Sequence, residues 1–484
     1  MIWRDGVLPE EAPDFSNLLS YDLLSYGYSL LSHGLRLLEL GGDPDVARIA
    51  FEHSAGAIEA VTAKGRHNET RDFHRLVAAA AYHLGRFSAR AYSLLQAGFA
   101  NANLSPPEQC LGRLMLRDLD GLDAQITAWR VGGRGSDNTL VELLSRLFPE
   151  GETDDDEPSV ALTPEDDLIG VLDLALADNF MAAIATGMLA FERGQAELIN
   201  DAIVKLQTGL DGCADFNLVP QWWCHRLTIH LLRDLWDSSF HVRLPPSPAG
   251  AVLADWSELR ELFIVSLYRR SRAEIELWPS QLDAAERALD LTDNMVVSLP
   301  TSAGKTRIAE LCILACVAAG KRVVFVTPLR ALSAQTEVGL QRTFEPLGKT
   351  ISSLYGSIGV SDIDENILRD RDIIVATPEK LDFALRNEPS LLDDVGLVVL
   401  DEGHMIGLGE REIRYEVQIQ RLLKREDAED RRIICLSAIL PDGTELEDFV
   451  AWLTRDKPGG LLQKNWRPTR LRFGEVDWQG SMLA

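Results

Sequence analysis

The sequence predicts an α + α/β protein, in which an all-helical domain is followed by one parallel α/β domain. From about Asp14 to Val242, apolar residues recur every three or four positions, Ala is abundant and β-branched runs are scarce, a pattern typical of helices. After the break HVRLPPSPAGAV (241–252), short β-branched runs alternate with helix-like segments. That alternation is typical of a parallel sheet covered by helices on both faces. The length of 484 residues gives room for two to four domains of ordinary size.

The composition is that of a globular protein with an acidic surface. The chain is 46% hydrophobic and 25% charged, and its formal net charge is −26. The first 250 residues carry a net charge of −17 and the remaining residues carry −9. A chain with this balance is a poor candidate for coating nucleic acid through bulk charge, so any such binding requires a local basic groove.

Residues 1–245 are predicted to form a helical accessory domain. The stretches AAAAYHLGRFSARAYSLL (78–95) and GMLAFERGQAELINDAIVKLQTGL (187–210) each indicate two helices joined by a Gly-containing turn. A repeat-like solenoid and an irregular bundle explain this pattern equally well. The stretch FPEGETDDDEPSVALTPEDD (148–167) combines Pro, Gly and an acidic run, and it predicts an exposed mobile loop.

The sequence indicates a soluble, cytoplasmic protein that does not contact a membrane. Six cysteines without a CxxC pair favour a reducing compartment. The N-terminal stretch MIWRDGVLPEEAPDF lacks the basic and apolar regions of a signal peptide. The longest apolar stretch of the first half, Asn179 to Phe191, is expected to be too short to cross a bilayer.

Five β-branched runs predict the strands of the second domain, which follows a connecting segment at 246–274. Each run is bounded by helix-like segments, so the strands are expected to lie parallel, with their carboxyl ends at one edge of the sheet. The runs are Met295–Leu299, Arg322–Val326, Asp372–Ala376, Leu397–Leu400 and Ile433–Leu436.

The segment MVVSLPTSAGKT (295–306) predicts a strand, a tight loop and the start of a helix. Backbone N–H groups at a helix N-terminus, together with the positive end of the helix dipole, favour a bound phosphate. Gly304 lets the backbone approach closely, Lys305 is placed to reach the β- and γ-phosphates, and Thr306 can offer its hydroxyl to Mg²⁺. The usual pattern has glycine at the position of Leu299, which is a departure from the motif.

A pair of carboxylates follows the fourth predicted strand. The sequence VVLDEGH places Asp401 and Glu402 at the carboxyl end of that strand, where ligand chemistry gathers in open α/β sheets. We expect one carboxylate, Asp401, to hold Mg²⁺ through water and the next, Glu402, to orient and deprotonate the attacking water. Paired with the phosphate loop, these residues indicate a site for ATP and Mg²⁺.

The order of the motifs resembles that of superfamily 2 DExH-box helicases, most closely the Ski2-like branch, over about residues 275–476. The resemblance implies a RecA-like P-loop domain at 275–470 that binds ATP and Mg²⁺ and moves 3′→5′ along a single strand. The matching segments are WPSQ (278–281), PTSAGKT (300–306), TPLRALSAQ (327–335), ATPEKLDFALR (376–386), DEGH (401–404), LSAIL (436–440), PDGTELEDFVAWL (441–453) and WRPTRLRFGEV (466–476).

The resemblance also implies a role for each matching residue. Gln281 is expected to read the adenine edge of the nucleotide. The residues implied in catalysis are Lys305, Asp401 and Glu402, and those implied in Mg²⁺ binding are Thr306 and Asp401. The residues implied in nucleotide binding are Gln281, Thr301, Ser302, Ala303, Gly304, Lys305 and Thr306. His404 and Ser437 are implied in coupling, and the residues implied in strand contacts are Pro328, Arg330, Thr377 and Pro378.

Two departures set this chain apart from a complete motor. Motif III usually ends in Thr, but this chain has Ile439, which cannot make the hydroxyl hydrogen bond that couples ATP to strand movement. A helicase motor also needs a second RecA-like domain that supplies an arginine finger, and no QxxGRxxR-like sequence follows motif III. We therefore expect residues 471–484 to begin the link to a missing second domain. The chain would then be a fragment, or half of a split enzyme, with little activity alone.

A second hypothesis is that the chain is a partner-binding adaptor. Its acidic helical domain would recruit a protein partner, for example a nuclease in a defence system, and its motor would be degenerate at Leu299 and Ile439. Bacterial anti-phage helicases of the Hachiman type resemble this arrangement. The helicase hypothesis implies single-stranded or partly duplex nucleic acid as a partner, with DNA slightly favoured over RNA.

Overall fold

The chain folds into two regions of different architecture. The computed structural model describes residues 14–65, 70–133, 164–247, 254–354, 371–403, 409–438 and 443–468, and for 132–133, 164–168 and Arg330 it describes the backbone alone. Within these residues the first region contains helices, and the second alternates strands with helices. This architecture confirms the predicted α + α/β class.

The first region packs its helices around one apolar core. Both predicted helical hairpins are confirmed, because Gly85 separates α3 from α4, and Gly194, with φ of +69°, separates α7 from α8. The helices range from 4 to 30 residues, which favours an irregular bundle over a uniform repeat. They are α1 (Asn17–Glu39), α2 (Pro44–Lys64), α3 (Arg71–Leu84), α4 (Ser88–Gln96), α5 (Pro106–Leu116), α6 (Leu119–Ala128), α7 (Pro164–Arg193), α8 (Ala196–Asp215), α9 (Val219–Asp237) and α10 (Phe240–Arg243).

Helix α7 corrects two expectations. The loop predicted at 148–167 ends earlier, because the helix begins at Pro164, and a proline followed by acidic residues suits a helix start. The rest of that predicted loop lies outside the described residues. By length and composition the stretch Ile169–Arg193 could cross a membrane, so the apolar part of this helix is longer than the predicted stretch Asn179 to Phe191. Core helices of soluble proteins pass the same test, and Phe180 and Ile184 are buried in the helical core.

The second region is built on a seven-stranded parallel sheet with the strand order β3-β4-β2-β5-β6-β1-β7. The five predicted strands are confirmed. The sequence did not predict β3 and β7, because each has only three residues, too few to show a β-branched run, and both lie at the sheet edges. The strands are β1 (Met295–Ser298), β2 (Arg322–Val326), β3 (Ile351–Ser353), β4 (Ile373–Ala376), β5 (Val395–Leu400), β6 (Arg432–Ser437) and β7 (Leu461–Gln463).

Helices cover both faces of this sheet. The core on one face contains residues of α11, α12, α13 and α14, and the core on the other face contains residues of α15, α16 and α17. Helix α13 is buried on all sides from Ile308 to Ala318, which explains its apolar sequence. The helices are α11 (Trp256–Tyr268), α12 (Pro279–Ala288), α13 (Lys305–Ala318), α14 (Arg330–Phe344), α15 (Pro378–Asn387), α16 (Glu410–Leu423) and α17 (Thr444–Thr454).

A compact junction joins the two regions. Ser239 and Glu276 form an antiparallel bridge, and the side chain of Glu276 forms an ion pair with Arg117 of the helical region. The Arg117 carbonyl accepts a hydrogen bond from the Ala273 N–H at 3.2 Å. The segment that was expected to be a connector (246–274) is also structured. It contains a helix, α11, whose apolar side chains belong to the core beside the sheet.

Candidate nucleotide site and nucleic-acid interface

The predicted motif residues converge on the carboxyl edge of the sheet. The phosphate loop follows β1, Pro328 follows β2 and Thr377 follows β4. Asp401 follows β5, and Ser437 is the last residue of β6. Because all seven strands are parallel, one edge gathers groups that are up to about 140 positions apart in sequence.

Backbone hydrogen bonds tie these motif segments to one another. Each bond links the end of one strand to the loop after a neighbouring strand, so the loops cannot shift independently. The donor and acceptor pairs are Leu299 N to Ser437 O (3.1 Å), Gly403 N to Leu436 O (2.9 Å), Asp401 N to Val326 O (2.9 Å) and Thr327 N to Ala376 O (2.9 Å).

The phosphate loop adopts a conformation that exposes the start of helix α13. Ser302 and Gly304 have positive φ angles of +67° and +85°, and the helix begins at Lys305. The side chains of Thr301 and Thr306 are exposed, whereas Ala303 is fully buried. The backbone N–H groups at the start of the helix can therefore face a phosphate.

Lys305 lies between the phosphate loop and the carboxylate pair. Its Nζ donates a hydrogen bond to the Leu299 carbonyl at 3.3 Å. Burial lowers the pKa of the Lys305 ammonium, while the nearby Glu402 and Asp401 act in the opposite direction. The Leu299 side chain is 1% exposed and packs in the core. The departure from the usual glycine is thus accommodated, because the side chain turns inward and the carbonyl contacts the lysine.

The DEGH segment begins with a constrained turn. Glu402 has a φ of +51°, and its N–H donates to Asp401 Oδ1 at 3.0 Å. A Cβ atom on Gly403 would lie 2.0 Å from Cys435 Sγ, so only glycine fits there. Burial, together with Asp401 and Glu402, raises the pKa of the Cys435 thiol to about 12. The next residue, His404, lies outside the described residues.

The WPSQ segment forms side-chain hydrogen bonds to the backbone of the phosphate loop. Gln281 is buried; its Oε1 accepts from the Trp278 N–H at 2.8 Å, and its Nε2 donates to the Gly304 carbonyl at 3.1 Å. Ser280 Oγ donates to the Ala303 carbonyl at 2.7 Å. The sequence reasoning missed Ser280, although its position beside Gln281 in the motif was the available signal. In this structure Gln281 positions the loop, and its contact with adenine stays a prediction.

On the side of the predicted strand contacts, around the ends of β2 and β4, one side chain bridges two of the predicted motifs. Arg411 of α16 donates to the Pro328 carbonyl and pairs with Glu379 of α15. Burial acts to raise the pKa of the Glu379 carboxyl, but hydrogen bonds from Arg411, the backbone and Thr377, together with the charge of Arg411, lower it overall. Sequence reasoning missed Arg411, which belongs to none of the motif segments.

The predicted helix start after β4 is confirmed at Pro378. Thr377 is its N-cap, with its Oγ1 accepting from the Lys380 N–H at 3.4 Å. Arg330 is the first residue of α14, and its side chain lies outside the described part of the chain. Ile439 of motif III is also outside it. The strand-contacting roles of Pro328, Arg330, Thr377 and Pro378 stay predictions.

A groove of about 730 Å³ separates α15 from α16 next to Pro378. Its arginines are matched by acids, because Arg386 and Arg421 both pair with Asp382, and Arg414 pairs with Glu410. The groove is lined by four arginines and three carboxylates, so it carries a slight excess of positive charge and is not strongly basic.

The donor set at the edge suits a magnesium ion held together with a nucleotide. Among the described residues, no group of three or more His, Cys, Asp or Glu side chains could hold a metal ion by itself. Mg²⁺ at nucleotide sites is usually held by one or two carboxylates plus phosphate oxygens and water. Asp401 at the strand end and the exposed Thr306 hydroxyl fit that requirement.

Strands β1 to β6 of the parallel sheet, the phosphate loop and the carboxylate turn all lie in a segment that matches a known protein family. Residues 278–448 match the DEAD/DEAH box helicase family, which supports the superfamily 2 resemblance that the motif order predicts.

Two individual relatives extend this finding. The chain is similar to the Hachiman protein HamB of Bacillus cereus, with 29% identity over 309 residues that cover 61% of this chain and 26% of that protein. It is also similar to the ATP-dependent DNA helicase Hel308 of Pyrococcus abyssi, with 35% identity over 212 residues, which cover 44% of this chain and 27% of the relative. The chain spans about a quarter of the length of these relatives.

Solved structures give more distant similarities. One is the crystal structure of DUF1998 helicase MrfA bound to DNA, with 24% identity and a TM-score of 0.36, covering 42% of this chain and 29% of that chain. Another is a hypothetical ATP-dependent RNA helicase from Sulfolobus tokodaii, with 22% identity and a TM-score of 0.33, covering 40% of this chain and 54% of that chain.

Proposed function

We propose that this chain is the ATP-binding portion of a cytoplasmic nucleic-acid helicase or translocase. One observation carries the proposal: the Lys305 ammonium is half-buried between the phosphate loop and the Asp401–Glu402 turn. This places a cation, a helix N-terminus and two carboxylates at one sheet edge. Such a set can hold a nucleoside triphosphate and direct water to its terminal phosphate.

Each group at this edge has a proposed task in ATP hydrolysis. Lys305 and the N–H groups around Gly304 bind the phosphates. Thr306 and Asp401 hold Mg²⁺, which neutralises charge on the phosphate oxygens when it is bound. Glu402 orients the attacking water and takes its proton. Gln281 positions the phosphate loop and contacts the adenine.

Nucleic acid is proposed to run across the carboxyl ends of β2 and β4. Helix α15 begins there, and the N-terminus of a helix favours a backbone phosphate. Pro328, Arg330, Thr377 and Pro378 would make these contacts, with 3′→5′ movement along a single strand. Because the second region carries only the smaller share of the negative charge, a local site on it is electrostatically easier than one on the helical region.

Titration calorimetry with ATP and Mg²⁺ tests the nucleotide site. Lys305→Ala should weaken binding at least tenfold, since hydrogen bonds to charged groups contribute about 1.5–3 kcal/mol. Lys457→Ala is the matched control, because Lys457 is an exposed lysine near Thr292, at the opposite edge of the sheet, and it should bind as wild type does. Equal affinity in the wild type and Lys305→Ala would overturn the proposal.

Fluorescence anisotropy with labelled single strands tests the second ligand. We expect binding that weakens as salt rises, because phosphate contacts release counterions, with DNA slightly preferred over RNA. Binding that is insensitive to salt would contradict contacts with the phosphate backbone.

A second candidate function is favoured by the extent of the similarity to HamB. The 309 aligned residues exceed the helicase match at 278–448, so the likeness reaches beyond the helicase segment. This supports a defence role in which the helical region binds a protein partner such as a nuclease. Co-purification of the full chain with candidate partners tests it, and loss of a partner after charge reversal on the helical region alone would support the adaptor function.

A further inference from the structure

A short chain of contacts leads from the helical region to the phosphate loop. Its inner part is the WPSQ segment, in which the Gln281 side chain forms hydrogen bonds with both the Trp278 N–H and the Gly304 carbonyl. Gly304 makes this contact possible, because a Cβ atom there would lie 2.1 Å from Gln281 Nε2. Any displacement of Trp278 therefore acts directly on the phosphate loop.

The outer part of this chain of contacts is Trp466, which follows β7. Its ring packs against the ring of Trp278, with centroids 6.0 Å apart at an angle of 58°. Its Nε1–H donates to the backbone carbonyl of Arg86 at 3.2 Å, and Arg86 belongs to the helical region. One indole thus contacts the nucleotide-side motif and the accessory region at once.

The indole is anchored on the sheet side. Lys464, two positions before Trp466, forms an ion pair with Asp283 of α12 at 2.7 Å. The Lys464 N–H also donates to the Ser298 carbonyl at 3.4 Å, at the end of the strand that enters the phosphate loop. The segment that carries Trp466 therefore moves with β1 and α12.

The carbonyl that receives the indole is held rigidly within the helical region. Arg86 has a φ of +70°, and its side chain bonds to Asp234 at 2.8 Å and to Ser238 Oγ at 3.1 Å, both near the end of α9. The Phe87 N–H donates to the Tyr82 carbonyl at 2.8 Å, which closes the turn between α3 and α4. A shift of α9 or α3 would therefore move the Arg86 carbonyl.

We propose that Trp466 is a positioning residue that couples the helical region to the phosphate loop, so that the helical region sets nucleotide affinity. The proposal rests on the proposed ATP site. Because coupling between two sites is reciprocal, bound nucleotide must in turn change the turn that contains Arg86. A partner that displaces the helical region would then alter nucleotide binding without touching the site.

The test combines calorimetry with hydrogen exchange on the full chain. Trp466→Phe keeps a ring but removes the N–H donor, and it should raise the Kd for ATP and Mg²⁺ about fivefold, the equivalent of one ordinary hydrogen bond. Trp466→Ala should have a larger effect. In the wild type, ATP should slow amide exchange at residues 82–90, and Trp466→Phe should abolish that slowing.

Trp452→Phe is the matched control. It removes an indole donor of the same domain, bonded to Gln420 Oε1 at 2.6 Å, and should leave both readouts unchanged. Normal ATP affinity and normal exchange in Trp466→Phe would overturn the coupling while leaving the ATP site intact. Absence of ATP binding in the wild type would overturn the coupling and the proposed function together.

Discussion

The predicted nucleotide side of the sheet edge, around the phosphate loop, and its predicted strand-binding side, around the ends of β2 and β4, are built in different ways. Around the phosphate loop, buried and uncharged contacts fix the backbone, such as the bonds from Ser280 and Gln281 to the loop carbonyls. Around the ends of β2 and β4, the backbone bond from Thr327 to Ala376 is supplemented by the half-exposed pair of Arg411 and Glu379. Both sides are held in place, but only one of them is held by water-exposed charge.

Steric fit therefore fixes the geometry around the phosphate loop, whereas an exposed ion pair contributes to the geometry around the ends of β2 and β4. A buried, crowded contact tolerates no added atom and no lost partner, so single substitutions there are costly. An exposed ion pair contributes little and is screened by salt. The nucleotide side should therefore respond to small steric changes, and the strand-binding side to ionic conditions.

The largest expected effect is that of Gly304→Ala. The new Cβ atom would lie 2.1 Å from Gln281 Nε2, at a φ of +85°, so the loop must move. We expect ATP binding to be lost and the free energy of unfolding to fall by about 1–3 kcal/mol, measured by calorimetry and urea denaturation.

Gly339→Ala is the control for this substitution. Gly339 lies on the exposed side of α14 with nothing within 4 Å of an added Cβ. It should stabilise the chain by about 0.5–1 kcal/mol, because alanine is the better helix former. If both variants bind ATP normally, the loop does not depend on the crowding at Gly304.

A smaller effect on ATP binding is expected for Ser280→Ala. It removes the donor to the Ala303 carbonyl from a side chain with 0% exposure, at a cost of about 1–3 kcal/mol for a buried unsatisfied group. ATP affinity should fall with stability, because the carbonyl lies in the phosphate loop. Ser266→Ala, which removes a bond within α11 to the Phe263 carbonyl, should cost less and leave ATP affinity unchanged.

The sequence predicted the backbone of the phosphate loop better than the contacts around the ends of β2 and β4, for a physical reason. Phosphate binding needs a strand, a glycine-containing turn and a helix start in direct succession. All three lie within residues 295–306, so they can be predicted from that segment alone. The carboxylates Asp401 and Glu402 were predictable from their place after an apolar run. Parallel strands then bring the two segments together without further information.

The contacts that support these motifs were not predictable from one sequence. Arg411 lies in an ordinary amphipathic helix, and nothing in its neighbours marks it as the partner of Pro328. Trp466 contacts Arg86 across 380 positions of sequence. Such long-range pairs depend on how two regions dock, which no local spacing rule describes. The strands β3 and β7 were missed for the related reason that they are short edge strands.

The smallest effect is expected for Arg411→Ala, the bridge on the strand-binding side. The pair with Glu379 is about half exposed, so its loss should change the free energy of unfolding by no more than about 1 kcal/mol. Salt should shrink the difference from the wild type. Arg414→Ala is the control, because Arg414 pairs with Glu410 of its own helix and is more exposed, and it should cost less than Arg411→Ala.

Lowering the pH should also remove the small difference in the free energy of unfolding between the wild type and Arg411→Ala. Burial acts to raise the pKa of Glu379, but its hydrogen bonds, of which that from Arg411 contributes most, lower the pKa below its usual value. The folded chain therefore favours the carboxylate more strongly than the unfolded chain does. That contribution is present above the unfolded pKa and is lost as the pH falls through the lower folded pKa. The free energies of unfolding of the wild type and Arg411→Ala, measured by urea denaturation, should therefore differ at pH 7, and the difference should shrink as the pH falls through the folded pKa of Glu379. The cost of Ser280→Ala should stay constant over that range, because no charge takes part in its contact. A pH-independent cost of Arg411→Ala would mean that the bond of Arg411 to the Pro328 carbonyl, rather than its ion pair, accounts for its contribution to stability.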